Sequence, residues 1–469
     1  MSPIFEHNIS PLTKAKRRII FYLVVLLFAV VAPFIALYSR GYNFDFKTRQ
    51  IISTGGILVK TDQAGFKIFI NDVLAKQVAF FSYGALVIDL RPDLYSVRIE
   101  KDGFKPWQRF VHVAGESVSE FRFVTLIPNK LPEKEILDIS KRGLTISSFQ
   151  ILGKSPWVII NTNERKQITY FYDRSTGALD AVESFADWRW DSANRQLLVM
   201  RKGPTRWSLV YLGSDKIREE KIVIPKGIGT AVSMDFATDK ANEFFILSSM
   251  GVLNRFNKST RAFSAILSEV NVFSVESSKI AFLNKSGFFA LADLDGKNIE
   301  DRGRKGFYVS EKAVKFALSS AGDNFVIDSG GGFFMRKALD LEVVPISGSV
   351  VSAVFDSDGS KAIFCTDHDI SVIWLKDEQY QPFRKAGDRV KIISFSGGEI
   401  TDCDWWGADE ENIIFSAGKF VGITDIDTRG GGVSASILFD DIAGTVRFEK
   451  NSGNILRSEK SFLFSTKLY

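Results

Sequence analysis

Side chains that could catalyse acid–base chemistry or bind a transition metal are sparse in this sequence. Its 469 residues include only three histidines, His7, His112 and His368. A histidine-based zinc site needs several nitrogen, sulfur or carboxylate ligands that converge, and a serine nucleophile activated by histidine meets the same shortage. The G-x-S-x-G motif of serine hydrolases is also absent from the sequence. We therefore expect no metal, no cofactor and no catalytic residue.

Carboxylates occur in two patterns that other proteins use for chemistry. Asp293-Leu294-Asp295-Gly296 and Asp356-Ser357-Asp358-Gly359 space two acids as a calcium loop does. Neither continues to the terminal glutamate of that loop, so we expect hairpin turns. Asp187, Asp235 and Asp404 each precede a recurring apolar position, by three, one and two residues. Glycoside cleavage needs two carboxylates about 5 to 9.5 Å apart, and these unequal offsets do not require the three to converge.

Two tryptophan pairs are the candidate binding residues. They are Trp188 with Trp190 and Trp405 with Trp406. Such pairs can form an aromatic floor that binds glycans or peptides. The favoured alternative is packing between neighbouring repeats, because aromatic side chains dominate protein cores.

The segment from Ile19 to Tyr38 contains twenty uncharged residues, and it predicts a helix that anchors the rest of the chain to a membrane. At about 1.5 Å per residue, a helix of this length spans about 30 Å, the thickness of the hydrocarbon core of a bilayer. A cleaved signal peptide is the rival interpretation, but its apolar part usually has about 7 to 15 residues and ends in small side chains. Here the segment ends in Ala36-Leu37-Tyr38, so we expect an uncleaved, single-pass transmembrane helix.

The basic residues beside this segment predict its orientation. They are Lys14, Lys16, Arg17 and Arg18 before it, and Arg40, Lys47 and Arg49 after it. Lysine and arginine close to a span are retained in the cytoplasm. The crowded N-terminal cluster favours a cytoplasmic N-terminus without settling the matter. The bulk of the chain is then extracytoplasmic, at the cell membrane.

The overall composition excludes several classes of protein. The chain is 45% hydrophobic and 25% charged, with a net charge of +5. No basic run lies beyond the cluster beside the membrane segment, so we expect no nucleic-acid partner. Two cysteines, Cys365 and Cys403, are too few for a disulfide framework. A single disulfide bond between them is one alternative, and two separate buried thiols are the favoured interpretation.

Residues 55–128 alternate between apolar and polar side chains over short runs. The alternating sets are Phe66, Ile68 and Ile70; Tyr95, Val97 and Ile99; Val111 and Val113; and Phe121, Phe123 and Thr125. Turn pairs such as Asn71-Asp72 and Asp102-Gly103 separate them. Half-buried antiparallel strands at this spacing predict a small β-sandwich.

This segment resembles the PEGA domain, a β-sandwich module of bacterial extracytoplasmic proteins. The resemblance rests on GGILVKTDQAGFKIFIND and LRPDLYSVRIEKDGFKPWQRFVHVAGESVSEFRFVTLIP. The tetrapeptide that names the family is degenerate here, since Gln63-Ala64-Gly65-Phe66 takes its place. The resemblance implies a fold and a location in the cell envelope. It implies no ligand, because the family has no shared catalytic residues.

After Pro128 a pattern of an apolar position, a polar turn and an apolar strand recurs at roughly 40-residue intervals. The recurring positions are Phe149, Trp190, Phe236, Val275, Phe316, Phe355, Trp406 and Phe448. A second hairpin follows most of them, and four strands per repeat predict a β-propeller closed into a ring. SAVFDSDGSKAIF resembles the opening of a TolB-type blade, and the array is similar to WD-repeat-like propellers. We expect either eight blades, or seven with a closing strand from residues 134 to 140.

The predicted organisation is therefore an all-β ectodomain behind one helix. The segments are a cytoplasmic tail 1–18, a transmembrane helix 19–38, a juxtamembrane linker 39–54, a PEGA-like sandwich 55–128 and a propeller 129–469. We expect a non-enzymatic binding or scaffold protein of the bacterial cell envelope that contacts a protein or a glycan. The alternative is a propeller hydrolase or lyase that acts on polysaccharide. The oligomeric state is not predicted.

Overall fold

The computed structural model describes residues 13–39, 41–45, 49–164, 168–201, 206–213, 216–276, 278–286, 289–301, 314–318, 325–329, 333–336, 344–347, 350–430, 436–442, 444–449 and 453–468. The chain forms two compact units. The first comprises Met1–Asp102, Pro106–Leu126 and Arg429–Gly431, and the second comprises Gly103–Lys105, Ile127–Thr428 and Gly432–Tyr469.

The first unit begins with a long apolar helix, α1 (Lys14–Ser39), none of whose side chains is buried. Its 26 residues extend about 39 Å. The helix is long and apolar enough to cross a membrane, a property that it shares with signal sequences near an N-terminus. The predicted basic cluster lies exposed in its first two turns, at Lys14, Lys16, Arg17 and Arg18.

Short strands make up the rest of the first unit. They are β1 (Tyr42–Asp45), β2 (Gln50–Ser53), β3 (Gly55–Thr61), β4 (Lys67–Ile70), β5 (Val73–Gln77), β6 (Gly84–Leu90), β7 (Asp93–Glu100), β8 (Trp107–Val113) and β9 (Val118–Val124). β1 and β2 form a hairpin, and the others form a three-stranded sheet, β6-β3-β9, and a four-stranded sheet, β5-β4-β7-β8.

The core of the first unit follows the predicted alternation except at Phe123, and one strand pair differs from the predicted direction. Phe66, Ile68 and Ile70 are buried together, as predicted. The prediction of wholly antiparallel strands is wrong for β3 and β9, which pair in parallel. A register shift in that pair also moves burial from Phe123 to Val124, because one skipped residue exchanges the two faces of a strand.

The second unit contains β10 to β41 and two single 3-10 turns. The ranges are β10 (Glu133–Asp138), η1 (Ser140–Arg142), β11 (Ile146–Ile151), β12 (Trp157–Thr162), β13 (Ile168–Asp173), β14 (Leu179–Glu183), β15 (Phe185–Asp191), β16 (Gln196–Arg201), β17 (Arg206–Leu212), β18 (Ile217–Lys221), η2 (Lys226–Ile228), β19 (Ala231–Phe236), β20 (Glu243–Ser248), β21 (Leu253–Asn257), β22 (Phe263–Leu267), β23 (Val270–Glu276), β24 (Lys279–Asn284), β25 (Phe289–Asp293), β26 (Glu300–Asp301), β27 (Val314–Leu318), β28 (Phe325–Ser329), β29 (Phe333–Arg336), β30 (Val344–Ser347), β31 (Val350–Phe355), β32 (Lys361–Thr366), β33 (Asp369–Trp374), β34 (Arg389–Ser394), β35 (Ile400–Trp406), β36 (Asn412–Ala417), β37 (Phe420–Asp425), β38 (Ser436–Phe439), β39 (Val446–Glu449), β40 (Asn454–Glu459) and β41 (Phe462–Lys467).

Within the described residues these strands form eight antiparallel sheets of four strands each. Sheets 1 to 7 take β11 to β38 in sequence order, four strands at a time, and sheet 8 has the order β10-β41-β40-β39. All eight recurring apolar positions lie on the strand that opens a sheet in sequence, or on β39 in sheet 8. The closing strand is β10, drawn from the start of the unit close to the predicted residues 134 to 140.

The opening strands of six sheets share a β-bulge, which the sequence analysis missed. The residues that the strand pairing skips are Ser147, Ala186, Val232, Asn271, Val351 and Thr401. Each of these side chains is exposed. A bulge increases local twist and bends the strand, so the same device recurs where each of these sheets begins.

Buried side chains join neighbouring sheets into a closed ring. One buried cluster each joins sheets 1 and 2, 2 and 3, 3 and 4, 6 and 7, and 7 and 8. β27 of sheet 5 contacts both β23 and β31. A further cluster joins Leu456 and Leu463 of sheet 8 to Phe149 and Ile160 of sheet 1. The ring therefore closes as a β-propeller, which removes the long open edges of an unclosed stack.

Cys365 and Cys403 form a disulfide bond, with their Cα atoms 6.6 Å apart. The favoured expectation of two separate thiols is therefore wrong. Cys365 lies on β32 and Cys403 on β35, and both sulfurs face the cluster between sheets 6 and 7. The bond covalently joins two adjacent sheets because their facing strands bring the two Cα atoms within the usual range for a disulfide, about 4.4 to 6.8 Å.

Candidate functional site

A concave pocket of about 340 Å³ lies between the first hairpin turns of sheets 2 and 3. The turn between β15 and β16 forms one wall, and the turn between β19 and β20 forms the other. The lining residues are Trp190, Asp191, Ser192, Ala193, Asn194, Gln196, Asp235, Phe236, Ala237, Thr238, Asp239, Lys240, Ala241, Asn242, Glu243 and Val275. The volume is at the small end of ligand pockets and suits one side chain of a partner or a small molecule.

Two residues singled out from the sequence meet at this pocket. Trp190 lies near the end of β15, Asp235 lies on β19, and both line the pocket. Trp188 and Trp190 both pack, partly buried, against the cluster between sheets 1 and 2. The indole nitrogen of Trp190 is buried and has no hydrogen-bond partner among the described residues. It lies 3.6 Å from the position that a Cβ atom on Gly153 would take, an ordinary van der Waals distance, so the loop after β11 packs beside the ring.

Asp235 sits in the pocket as a largely desolvated carboxyl group. Its side chain is 16% exposed, and its Oδ1 accepts a hydrogen bond from the backbone N–H of Phe236 at 2.8 Å. Burial raises the pKa of Asp235 to about 6, and the nearby Arg189 guanidinium opposes that rise. The carboxyl group therefore changes charge close to neutral pH, because desolvation disfavours its ionised form.

Arg189 joins Asp235 to Asp187. Its Nη1 donates to Asp187 Oδ1 at 2.9 Å, and its Nε lies 3.9 Å from Asp235 Oδ2. The two acids thus share one guanidinium, although their offsets from the recurring positions do not require convergence. Asp404, the third acid that the sequence analysis grouped with these two, lies on β35 in sheet 7. An arginine between two carboxylates holds them as an ion triad, which differs from the free acid and base of a glycosidase.

The remaining charges of the pocket are unevenly neutralised. Arg255 pairs with Asp239 at 2.8 Å and with Glu243 at 2.5 Å. Asp191 shows no ion pair among the described residues, and its oxygens accept hydrogen bonds from Asn194 and Gln196 at 2.7 and 2.9 Å. Lys240 also lines the pocket, so three cations (Lys240, Arg189 and Arg255) face five acids (Asp187, Asp191, Asp235, Asp239 and Glu243). The pocket therefore combines net negative charge with an aromatic wall. Such an environment favours a cationic group that also donates hydrogen bonds.

The second tryptophan pair is packed inside the ring. Trp405 and Trp406 are 0% and 1% exposed. Trp405 faces sheet 6, where its Nε1 donates to the carbonyl oxygen of Val354 at 3.2 Å, and Trp406 packs in the cluster toward sheet 8. Consecutive residues of a strand point to opposite faces, so adjacent tryptophans serve two different interfaces. Packing between repeats, the favoured alternative, describes both residues.

The acid pairs considered for calcium lie in hairpin turns. Asp293 pairs with Lys279 at 2.9 Å, and Asp295 pairs with Lys297 at 3.2 Å. Asp356 accepts hydrogen bonds from the backbone of Ser360 and Lys361 within its turn. In the described part of the chain, no three His, Cys, Asp or Glu side chains cluster as a metal site would require. His7 lies outside the described residues.

A second charged cluster lies between sheets 6 and 7, and it is structural. Lys361 of β32 and Glu411, beside β36, form a largely buried ion pair. Burial raises the pKa of Glu411 to about 7, and Lys361 opposes the rise. Glu410 accepts hydrogen bonds from the backbone N–H and the hydroxyl of Ser357, both at 2.7 Å. These contacts tie two turns together.

Sequence reasoning missed most of the pocket wall. Arg189 lies between two tryptophans in DWRWD, and this alternation of charged and aromatic residues on one strand was the available signal. The wall from 237 to 242 has no such signal, because its role depends on the neighbouring sheet.

No family model matches the chain, and no curated protein matches it. Many solved structures are similar to it, among them the following three. The computationally designed Ika8 protein is 12% identical with a TM-score of 0.46, covering 72% of this chain and all of that one. Hsv2 of Kluyveromyces marxianus is 10% identical with a TM-score of 0.41, covering 63% and 97%. The β-propeller domain of Myceliophteria thermophila Cps50 (Swd1) is 11% identical with a TM-score of 0.38, covering 72% and 100%.

Proposed function

We propose that this chain is a single-pass membrane protein of the bacterial cell envelope that uses its propeller to bind a protein partner outside the cytoplasm. The pocket between sheets 2 and 3 carries this proposal, since it is a concave site on a rigid ring where loops from two sheets converge. A basic side chain of the partner would enter it, facing Asp235 and Asp191 beside the Trp190 wall. No chemical step by the chain is proposed.

Three features support the proposed location. α1 is long enough to span a bilayer, and four basic residues precede its apolar part. The disulfide between Cys365 and Cys403 fits an oxidising compartment, since such bonds are rare in the cytosol. The PEGA-like pattern of residues 55–128 is typical of extracytoplasmic modules. We propose that these residues form a PEGA-like sandwich and that the eight sheets are the blades of an eight-bladed propeller.

Site-specific photo-cross-linking in intact cells tests the binding role. A photoreactive side chain at Thr238, on the pocket wall, is compared with one at Thr176, in an exposed turn of sheet 1. We expect a discrete protein adduct at position 238 that is lost in the Asp235→Asn variant. Equal adducts at both positions, or an adduct that survives Asp235→Asn, would contradict the proposed site.

A further inference from the structure

The β1–β2 hairpin carries an exposed apolar pair beside the end of the membrane helix. Phe44 and Ile51 are cross-strand partners, and their side chains are 43% and 56% exposed. Partners in an antiparallel pair project from the same face, so the two side chains form one apolar patch. Such a patch on a short hairpin is unfavourable in water unless something covers it.

The position of the hairpin is fixed by contacts at its open end. The backbone N–H of Gly41 donates to the carbonyl of Tyr38 at 3.0 Å, and Thr54 donates to the carbonyl of Gly41 through its N–H and its hydroxyl, at 2.6 and 2.9 Å. The Tyr42 hydroxyl donates to Glu116 at 2.6 Å. β1 also contacts α1. These hydrogen bonds and contacts therefore hold the hairpin beside the end of the helix.

The length of the apolar segment places this hairpin at the membrane surface. If Ile19–Tyr38 fills the hydrocarbon core of about 30 Å, Tyr38 lies at its edge. β1 starts four residues after Tyr38, and the interfacial layer on each side is about 5 to 8 Å thick. Exposed Arg49, in the turn just before β2, adds a cation within reach of lipid phosphates. Aromatic side chains such as Tyr38 and Phe44 are suited to the same layer.

We propose that the β1–β2 hairpin is a membrane-interface contact, with Phe44 and Ile51 inserted at the boundary between lipid headgroups and acyl chains. The bilayer is the occupant because the hairpin is continuous with the helix that crosses it. This inference rests on the membrane anchor of the proposed function. The hairpin would hold the first unit in a defined orientation on the bilayer.

Lipid quenching of a fluorophore on single cysteines tests this contact in the full chain. The native cysteines are buried and bonded to each other, so a nonreducing reaction labels only the introduced thiol. The variants are Ile51→Cys, Val31→Cys inside the span, and Val73→Cys, a 69% exposed position on β5. Each is labelled with nitrobenzoxadiazole and reconstituted in vesicles of phosphatidylethanolamine and phosphatidylglycerol. A phosphatidylcholine carries the nitroxide either near the headgroup or deep in the acyl chain.

We expect the label at position 51 to show blue-shifted emission and stronger quenching by the shallow nitroxide than by the deep one, with no quenching at position 73. A label at 51 that is unquenched while the label at 31 is quenched would overturn the hairpin contact and leave the anchor intact. A label at 31 that is unquenched would overturn both. The label at 51 could instead show a blue shift that grows with protein density and no quenching by lipid. That result would assign the patch to a second copy of the chain and overturn the proposal.

Discussion

Breaking the disulfide between Cys365 and Cys403 should destabilise the propeller measurably. The bond closes a loop with a sequence separation of 38 residues. On the chain-entropy description, releasing a loop of that length costs about 4 kcal/mol of the free energy of unfolding. For a unit of about 340 residues, whose unfolding entropy scales with length, this corresponds to a fall in Tm of about 5 °C.

Comparing oxidised and reduced wild-type protein isolates the effect of the bond. Both sulfur atoms stay in place on reduction, so no cavity is created in the cluster between sheets 6 and 7. The assay is thermal unfolding by circular dichroism, with and without dithiothreitol. The matched control is the double variant Cys365→Ala/Cys403→Ala, whose Tm should not respond to the reductant.

Two results would refute the reasoning. One is complete alkylation of both cysteines in the denatured protein without reductant, because bonded sulfurs cannot react. The other is an equal Tm for oxidised and reduced wild-type protein, which would mean that the bond does not constrain the unfolded chain.

Three further predictions concern charge and packing. Because the pKa of Asp235 rises from 3.8 to about 6 on folding, the folded state holds its proton more tightly, and the stability of wild type falls as pH rises from 4 through 6. The stability of Asp235→Asn relative to wild type should therefore increase by about 2.5 kcal/mol between pH 4 and pH 8, as measured by urea titration at each pH. Arg174→Ala should cost about 3 kcal/mol by the same titration, since it removes the guanidinium that pairs with the largely buried Glu449 carboxylate where sheets 1 and 8 meet. Arg206→Ala, in a half-exposed pair with Glu183, should cost under about 1 kcal/mol. Trp405→Ala should cost about 3 to 5 kcal/mol in chemical denaturation because it empties a fully buried site, and an unchanged midpoint would contradict the assigned packing.

The repeat architecture could largely be predicted from local sequence patterns. Each recurring position, from Phe149 to Phe448, lies on the predicted kind of strand. Alternation of period two and turn pairs are local properties, and backbone geometry converts them directly into strands and hairpins. The bulge shared by six opening strands was not readable, because a skipped residue looks like an ordinary member of an alternating run.

The candidate site was only partly predictable. The sequence identified Trp190 and Asp235 but treated them as unrelated, and it weighed Trp405 and Trp406 equally with Trp188 and Trp190. Burial of Trp405 depends on the strand of the neighbouring sheet that covers it. The pocket itself exists because two turns, separated in the chain by the rest of sheet 2, stand side by side in the ring.

The sequence alone determined the apolar helix, the strand-rich body and the spacing of its repeats, because these follow from interactions between residues close in the chain. Tertiary structure decided which distant residues meet. Arg457 pairs with Glu133 across 324 residues, and Arg174 pairs with Glu449 across 275. Ring closure brings these partners together, as it does the two cysteines and the two walls of the pocket. No local pattern encodes such meetings, since they depend on how many sheets stack before the ring closes and how each is twisted.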